Sequence, residues 1–559
     1  MSVTTTYPGI YIEEILSSAN TVQSAPTSVT VFVGYTHPFK TPTQNYGVPV
    51  ELFSFSDYER EFGGLFNVDW LADDVGQAVY QFFLNGGTDA FVVSLNNADT
   101  PRFNLLSGTQ TSGPTVSGTE AISAPSLTIT TGPAGSPGIV FTGLEPVDQF
   151  HTLTLSVTNI RTTTNTNDTA DIVVTYGITT ETYRKVVLDP AGSGTQLQAQ
   201  VGTVANPVSS LVTVAPLAPT AGNGNFPTAW PMPLAPTPLT MSFPVDPHNN
   251  PLPFTTFSPG DFVPTFQQDN PLDKLESLFN LLVTPGVWDA GVVAESLAFA
   301  EHKLAFVVLD PPAEAAADPT SYPLPTIGDI MSDNVPGESV PKSINGAIYF
   351  PFLRSPDPST GNIMSVPPSG FVTGIMARED ANRGVWKAPA GLETVISNTT
   401  GVVANGQMSD MRQGTLNPIG VNCLRSFPGV GTVVFGARTL ASANPAFQQY
   451  RYVNVRRMAL FIEQSLKTSL TWMIFESNDT PLWVSARTAV ENWMLGLFNN
   501  GAFQGSTPSQ AFQVKCDATT TTPADQANGI VNIIVAFAPL RPAEFVVIKI
   551  AQLAGQPQS

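Results

Sequence analysis

Val287-Trp-Asp-Ala-Gly-Val-Val-Ala-Glu-Ser-Leu-Ala-Phe-Ala-Glu-His302, followed after Lys303 by Leu304-Ala-Phe-Val-Val-Leu309, is the stretch that decides the fold class. The first part predicts a helix. The second is a short apolar run of the kind buried on both faces of a parallel sheet. The same pairing occurs upstream. Val29, Val31 and Val33 alternate as a strand. Leu71, Val75, Ala78, Val79, Phe82 and Phe83 recur at helical spacing, Asn85-Gly86-Gly87 supplies a C-cap, and Ala90-Phe-Val-Val93 is a second apolar run. Asn270-Pro271 carries N-cap and N1 chemistry, and Leu275, Leu278, Phe279 and Leu282 continue it as a predicted helix. Helices recurring with buried strands predict a sheet with helices packed on it.

Between these regions the composition changes. Residues 103–245 hold only ten charged side chains in 143 and are rich in Thr, Ser, Gly and Pro. Leu127-Thr-Ile-Thr130, Leu153-Thr-Leu-Ser-Val157 and Ile172-Val-Val-Thr-Tyr176 read as short strands, so this is an all-β insertion. Residues 205–271 contain 15 prolines in 67 and read as a stiff extended connector. Beyond 436, Val455, Met458, Ile462, Leu466, Leu470 and Met473 form one helical stripe. Ala486, Val490, Trp493, Met494 and Leu497 form another, opened by Asp479-Thr-Pro481. β segments are expected at 511–517, 530–537 and 544–551.

The expected fold is α+β/α/β and multidomain: an α/β core, an inserted all-β domain and extended terminal β arms. The domains are an N-terminal arm (1–20), a core split between 21–102 and 270–435, the insertion with its connector (103–269), a C-terminal α+β domain (436–540) and a C-terminal strand arm (541–559).

Charge excludes several functions. The chain of 559 residues has 24 Lys+Arg against 44 Asp+Glu, a net charge of −20, which argues against a nucleic-acid binder. The acid is polarised: residues 1–435 carry 15 basic and 37 acidic side chains, whereas 436–559 carry nine and seven. Only 12% of residues are charged, which suits a subunit covered on many sides. No run of 18 apolar residues exists, so no membrane insertion is expected. Met1-Ser-Val-Thr4 lacks the basic and apolar regions of a signal peptide. Cys423 and Cys516 are the only cysteines and read as buried thiols, consistent with synthesis in a reducing compartment.

No catalytic or metal-binding motif is present: HExxH, GxxxxGK[ST], GxSxG and CxxC are all missing, and His37, His151, His248 and His302 are scattered. No catalytic residue, metal or cofactor is expected. Glu379-Asp380 beside Arg378 and Arg383 reads as a solvated helix face or a subunit salt bridge rather than acid–base machinery. Arg451-Tyr-Val-Asn-Val-Arg456-Arg457 opens a long helix, as a solvated face or as a contact with an acidic partner. Two β-prone segments lie at the ends: Tyr7-Pro8-Gly9-Ile10-Tyr11-Ile12, and Phe545-Val546-Val547-Ile548-Lys549-Ile550. They suit strand addition to a neighbour's sheet, or pairing within their own subunit.

These segments also carry a resemblance. Tyr7-Pro-Gly-Ile-Tyr-Ile-Glu-Glu14 and Val366-Pro-Pro-Ser-Gly370 are two of its motifs. Gly374-Ile-Met-Ala-Arg-Glu-Asp380 and Arg383-Gly-Val-Trp-Lys-Ala-Pro-Ala390 follow. Gly420-Val-Asn-Cys-Leu-Arg425, Gly436-Ala-Arg-Thr-Leu440, Tyr452-Val-Asn-Val-Arg-Arg457, Phe475-Glu-Ser-Asn478, Ala511-Phe-Gln-Val-Lys-Cys-Asp517 and Pro542-Ala-Glu-Phe545 complete the set. Together they resemble the contractile phage tail sheath family, including the sheaths of phage-like contractile injection systems. The resemblance spans 1–35 and roughly 270–555, and nothing in it matches 103–245.

It implies a structural homo-oligomer of helically stacked hexameric rings around a tail tube protein. Its ends would meet baseplate and tail terminator proteins. It would belong to a virion tail or injection-system particle assembled in the bacterial host cytoplasm, and would contract to drive the tube through an envelope. The arms (Tyr7 to Ile12; Phe545 to Ile548 and Ile550) would link neighbours. The C-terminal domain would lie innermost, with Arg451, Arg456, Arg457 and Lys467 facing the tube. A glycan-binding or glycan-cleaving tail spike is the competing class, since the Thr-rich insertion could display binding loops. A receptor-binding decoration on a sheath core is a third reading. Microscopy separates tubes or rings from compact trimers.

Overall fold

The structure is a computed structural model. It describes residues 21–37, 41–66, 72–95, 259–311, 342–358, 361–403 and 407–549, with β segments between 103 and 239. The segment Tyr7–Ile12 and Ile550 lie outside the described residues.

A mixed sheet of eight strands organises the chain. Its strands are β1 (Thr30–Gly34), β2 (Val50–Leu52), β3 (Ala90–Ser94), β11 (Leu281–Val283), β12 (Phe306–Leu309), β13 (Gly346–Phe350), β14 (Val421–Phe427) and β15 (Gly431–Val434), in the order β2-β3-β1-β11-β12-β13-β14-β15. The six inner strands are parallel, and antiparallel β2 and β15 close the edges. Inner strands are buried on both faces, and their side chains alternate between two cores. Val31, Val33, Val307 and Leu309 enter one core, which is packed against α3 (Ala290–Lys303) and α5 (Asp410–Leu416). Phe32, Phe306 and Val308 enter the other, packed against α1 (Phe55–Phe62), α2 (Asp74–Leu84), α4 (Ser369–Arg383) and α6 (Val453–Ser469). The quoted stretch is therefore α3 and β12. Asp289 caps α3 by accepting from Val292 N–H at 3.0 Å. Gly370 and Gly374, one turn apart on α4, let its backbone lie on α2: a Cβ on Gly370 would fall 2.5 Å from Ala78 Cα.

One predicted helix is absent. Residues 270–280 form turns, and Leu281–Val283 is β11, between β1 and β12. Asn270 spends its side chain on the Pro264 carbonyl instead of capping. The three apolar residues of β11 gain full burial on both faces only as the sheet's central strand.

Within 126–239 lie β4 (Ser126–Thr130), β5 (Gly138–Gly143), β6 (Thr154–Arg161), β7 (Thr169–Tyr176), β8 (Thr179–Val187), β9 (Val212–Leu217) and β10 (Leu234–Pro238). A three-stranded sheet runs β9-β5-β4. A larger one runs from Thr195–Gln196 through β8, β7 and β6 to β10. They share a core of their own, including Phe141, Leu155, Ile172, Val214 and Trp230. Two details correct the sequence reading. A five-residue helix, Leu197–Val201, interrupts the β structure. The proline-rich connector also supplies β9 and β10. Both are edge strands, where a proline's missing N–H leaves no ladder bond unmade.

The C-terminal residues contribute α6, α7 (Thr480–Asn499) and an antiparallel pair, β16 (Phe512–Lys515) and β17 (Ile534–Phe537). Met458, Phe461, Ile462, Val490, Met494 and Val514 pack together there. No helix among the described residues is long and apolar enough to cross a membrane.

Candidate functional site

The predicted tube-facing arginines are mostly spent inside the chain, which corrects that expectation for two of them. Arg457 is 3% exposed. Its guanidinium grips Asp380 of α4 through two bonds of 3.0 and 2.5 Å and donates to the Thr27 carbonyl at 2.8 Å. Burial raises the Asp380 carboxyl above its usual range, and the Arg457 charge offsets part of that. Arg456 is 7% exposed, donates to Asn345 Oδ1 at 2.7 Å, pairs with Glu463 at 3.1 Å and lies over the Tyr450 ring. These side chains dock α6 onto the large sheet, helped by Gln464, which receives from Asn280 Nδ2 at 2.7 Å. Lys467 is exposed, and Arg451 is half-buried over Tyr452.

The first described residues are laid on the same helix. Gln23 and Ala25 donate backbone N–H groups to Ser469 and Ser465, Trp493 donates to Ser24, and Val22 enters the core between α6 and α7.

The described C-terminal residues behave differently on either side of Glu544. Asn454 Nδ2 donates to the Leu540 carbonyl at 2.9 Å, which ties down the approach. Glu544 then enters a built receptor. Arg438 donates from Nε to Oε1 and from Nη2 to Oε2, both at 2.7 Å. Asn417 Nδ2 donates at 2.6 Å and the Tyr452 hydroxyl at 3.1 Å. Burial pushes the Glu544 carboxyl up, but the bonds from Arg438 and Asn417 prevail and hold it below the usual range. Such bidentate arginine–carboxylate geometry is directional as well as strong. Immediately afterwards Phe545, Val546, Val547 and Ile548 are 72, 81, 78 and 79% exposed and join no ladder. The third C-terminal β segment expected from sequence is thus unpaired over its described residues.

A cavity of about 500 Å³ lies beside this root, lined by Ala390, Gln413, Phe435, Ala437 and Tyr452 among others. Nearby, β16 and β17 pair only with each other among the described residues, and a two-stranded sheet is marginal alone. Arg438 and Glu544 lie inside motifs that assign them no role from sequence. The available signal was an acidic residue placed just before an apolar run.

Asp380 joins an intramolecular pair rather than a solvated face. Cys423 and Cys516 are buried and free, and burial pushes the Cys423 thiol up to about 12. Among the described residues, no group of His, Cys, Asp and Glu is arranged to hold a metal ion.

Comparison with known proteins gives the geometry a context. Residues 446–552 match the phage tail sheath C-terminal domain. A tail sheath protein of Vibrio phage KVP40 is 25% identical over 198 residues, 35% of this chain and 27% of that protein. The chain thus matches about a quarter of that relative's length. Among solved structures, the helical sheath of the anti-feeding prophage in its contracted state aligns at TM-score 0.53 and 20% identity, over 98% of this chain and 100% of the other. A chain of the same particle's baseplate structure aligns at 0.54 and 20% identity, over 98% and 99%. Over residues 446–552 the chain is similar to the phage tail sheath C-terminal domain, and the whole shares the fold of the anti-feeding prophage sheath chain.

Proposed function

We propose that this chain is the structural subunit of a contractile sheath. It polymerises as helically stacked hexameric rings around a tail tube and shortens to drive that tube through a target envelope. The observation that carries the reading is the C-terminal segment: rooted at Glu544, apolar and exposed at Phe545–Ile548, it follows a β16–β17 sheet that gains no further strand among the described residues. An exposed apolar strand is an association hazard unless a neighbour covers it. Strand addition between copies satisfies both the segment and the sheet. Because the contact is heterologous and does not close on itself, it propagates a helix.

In this reading Tyr7–Ile12 forms the second link, and a kinetically trapped extended state stores the work of contraction without a nucleotide. Lys467 and Arg451 are the remaining tube-facing candidates. Baseplate and terminator proteins cap the two ends of the particle, whose subunits are made in the host cytoplasm. Deleting 541–559, or 1–15, leaves a folded monomer that does not polymerise. Long regular tubes from either deletion, seen by negative-stain microscopy, would reject the linkage.

A further inference from the structure

Three side chains, Asn417, Arg438 and Tyr452, converge on Glu544 from places far apart in sequence and give it four hydrogen bonds. Arg438 is 2% exposed and is itself held at both backbone groups by Asn422 of β14. Its N–H donates to Asn422 Oδ1 at 2.7 Å, and its carbonyl accepts from Asn422 Nδ2 at 2.8 Å. Asn422 also donates to the Ile348 carbonyl of β13 at 3.1 Å. Arg438 Nη1 donates to the Asn417 carbonyl at 2.7 Å, which fixes the plane of the guanidinium before Glu544 arrives. A continuous set of hydrogen bonds therefore runs from the large sheet to Glu544, and the residue after Glu544 is in solvent.

We propose that this clamp is the positioning device of the C-terminal arm. Arg438, Asn417 and Tyr452 fix where residues 545–549 leave the surface and in which direction, so that the strand is presented to a second copy already oriented. The inference rests on the arm reading above and adds what governs it. A free tail samples many directions and must be ordered on binding, whereas a strand rooted one residue away has lost most of that freedom already. The effective concentration of the strand at a neighbour's sheet then depends on the root. The clamp also routes pulling force on the arm into β14 and β13 rather than into the two-stranded sheet. Glu544 is a positioning residue: it touches its own chain and acts through the strand that follows.

The test uses the full chain with a nitroxide at Ile548→Cys, and with a control label at Ser485→Cys on the exposed face of α7. Cys423 and Cys516 are buried and stay unlabelled. Below the assembly threshold, Glu544→Gln and Arg438→Lys should increase label mobility at 548 at least twofold and leave 485 unchanged. In unlabelled protein the same changes should raise the concentration needed for tube formation about tenfold, with Glu544→Asp intermediate. If Glu544→Gln does not fold, Asn417→Ala takes its place, since it removes one donor and leaves Arg438 paired.

Deletion of 545–559 runs in parallel. If that deletion abolishes tubes while the clamp variants change neither mobility nor threshold, the clamp is wrong and the arm reading stands. If the deletion itself forms normal tubes, the arm reading and the clamp fall together.

Discussion

Arg457 and Lys467 lie on one helix yet answer to different physics, and burial decides which is which. Removing the Arg457 guanidinium strands Asp380 without its partner among apolar neighbours. Breaking a buried pair from one side costs about 3–5 kcal/mol. Arg457→Ala should therefore lower the denaturation midpoint of the monomer sharply, while exposed Lys467→Glu should change stability by less than about 0.5 kcal/mol. Equal effects from the two would contradict the assignment. Asp74 and Asp310 give the chain a second residue-scale property. Burial, with the Asp310 charge added, pushes Asp74 up to about 7, and burial pushes Asp310 up to about 6 against bonds from Ser369 and Gly286. Both carboxyls bind protons in the folded chain at pH values where the unfolded chain has released them. Stability therefore falls as pH rises from about 4 towards about 7 and then levels. The carboxylates held low, such as Asp57 and Glu544, oppose this only in more acid solution, where they lose their bonds. Asp74→Asn should flatten the change in melting temperature between about pH 5 and about pH 8. An unchanged slope would remove Asp74 as its source.

At the level of elements, what could be read from sequence depended on how local the causes were. The helix α7 was legible because Asp479-Thr-Pro opens it and its stripe runs to Leu497; α3 was legible from Asp289 onward. In each, cap and periodicity lie within one segment. The strand β11 was not. Leu275, Leu278, Phe279 and Leu282 satisfy helical spacing, and only the ladders to Val31 and Val307 turn the last of them into a strand. The buried arginines failed for the same reason, since Asp380 lies 77 positions from Arg457. The clamp on Glu544 spans 106 positions and showed only as unassigned motif residues. β11 is short but central, so its packing is unforgiving. Leu282→Ala should cost about 2–5 kcal/mol. The equivalent truncation at half-exposed Leu275 should cost much less, and comparable losses in urea titrations would argue against a central β11.

On the scale of the whole molecule, the strands within 126–239 gather around a core of their own. It draws on residues such as Leu127, Ile139, Val186 and Leu239, and among the described residues none of its side chains enters either core of the large sheet. The chain leaves the large sheet and returns to it at nearly one place. Leu95 N–H bonds to the Gly34 carbonyl at 2.9 Å, and the next residue, Tyr35, donates its hydroxyl to Asp261 at 2.7 Å. A linker of about eight Gly and Ser residues reaches about 15 Å and can bridge such a gap, because closing a short flexible loop costs little. Replacing 96–258 by that linker should therefore leave the cooperative melt of the large sheet within a few degrees of the full chain. The excised chain retains Arg438, Glu544, the exposed strand and the β16–β17 sheet, so it should still form tubes, thinner at the rim and equal in axial repeat. A folded excised chain that stays monomeric would show instead that the β unit supplies an assembly contact, and the load would no longer rest on the terminal segments alone.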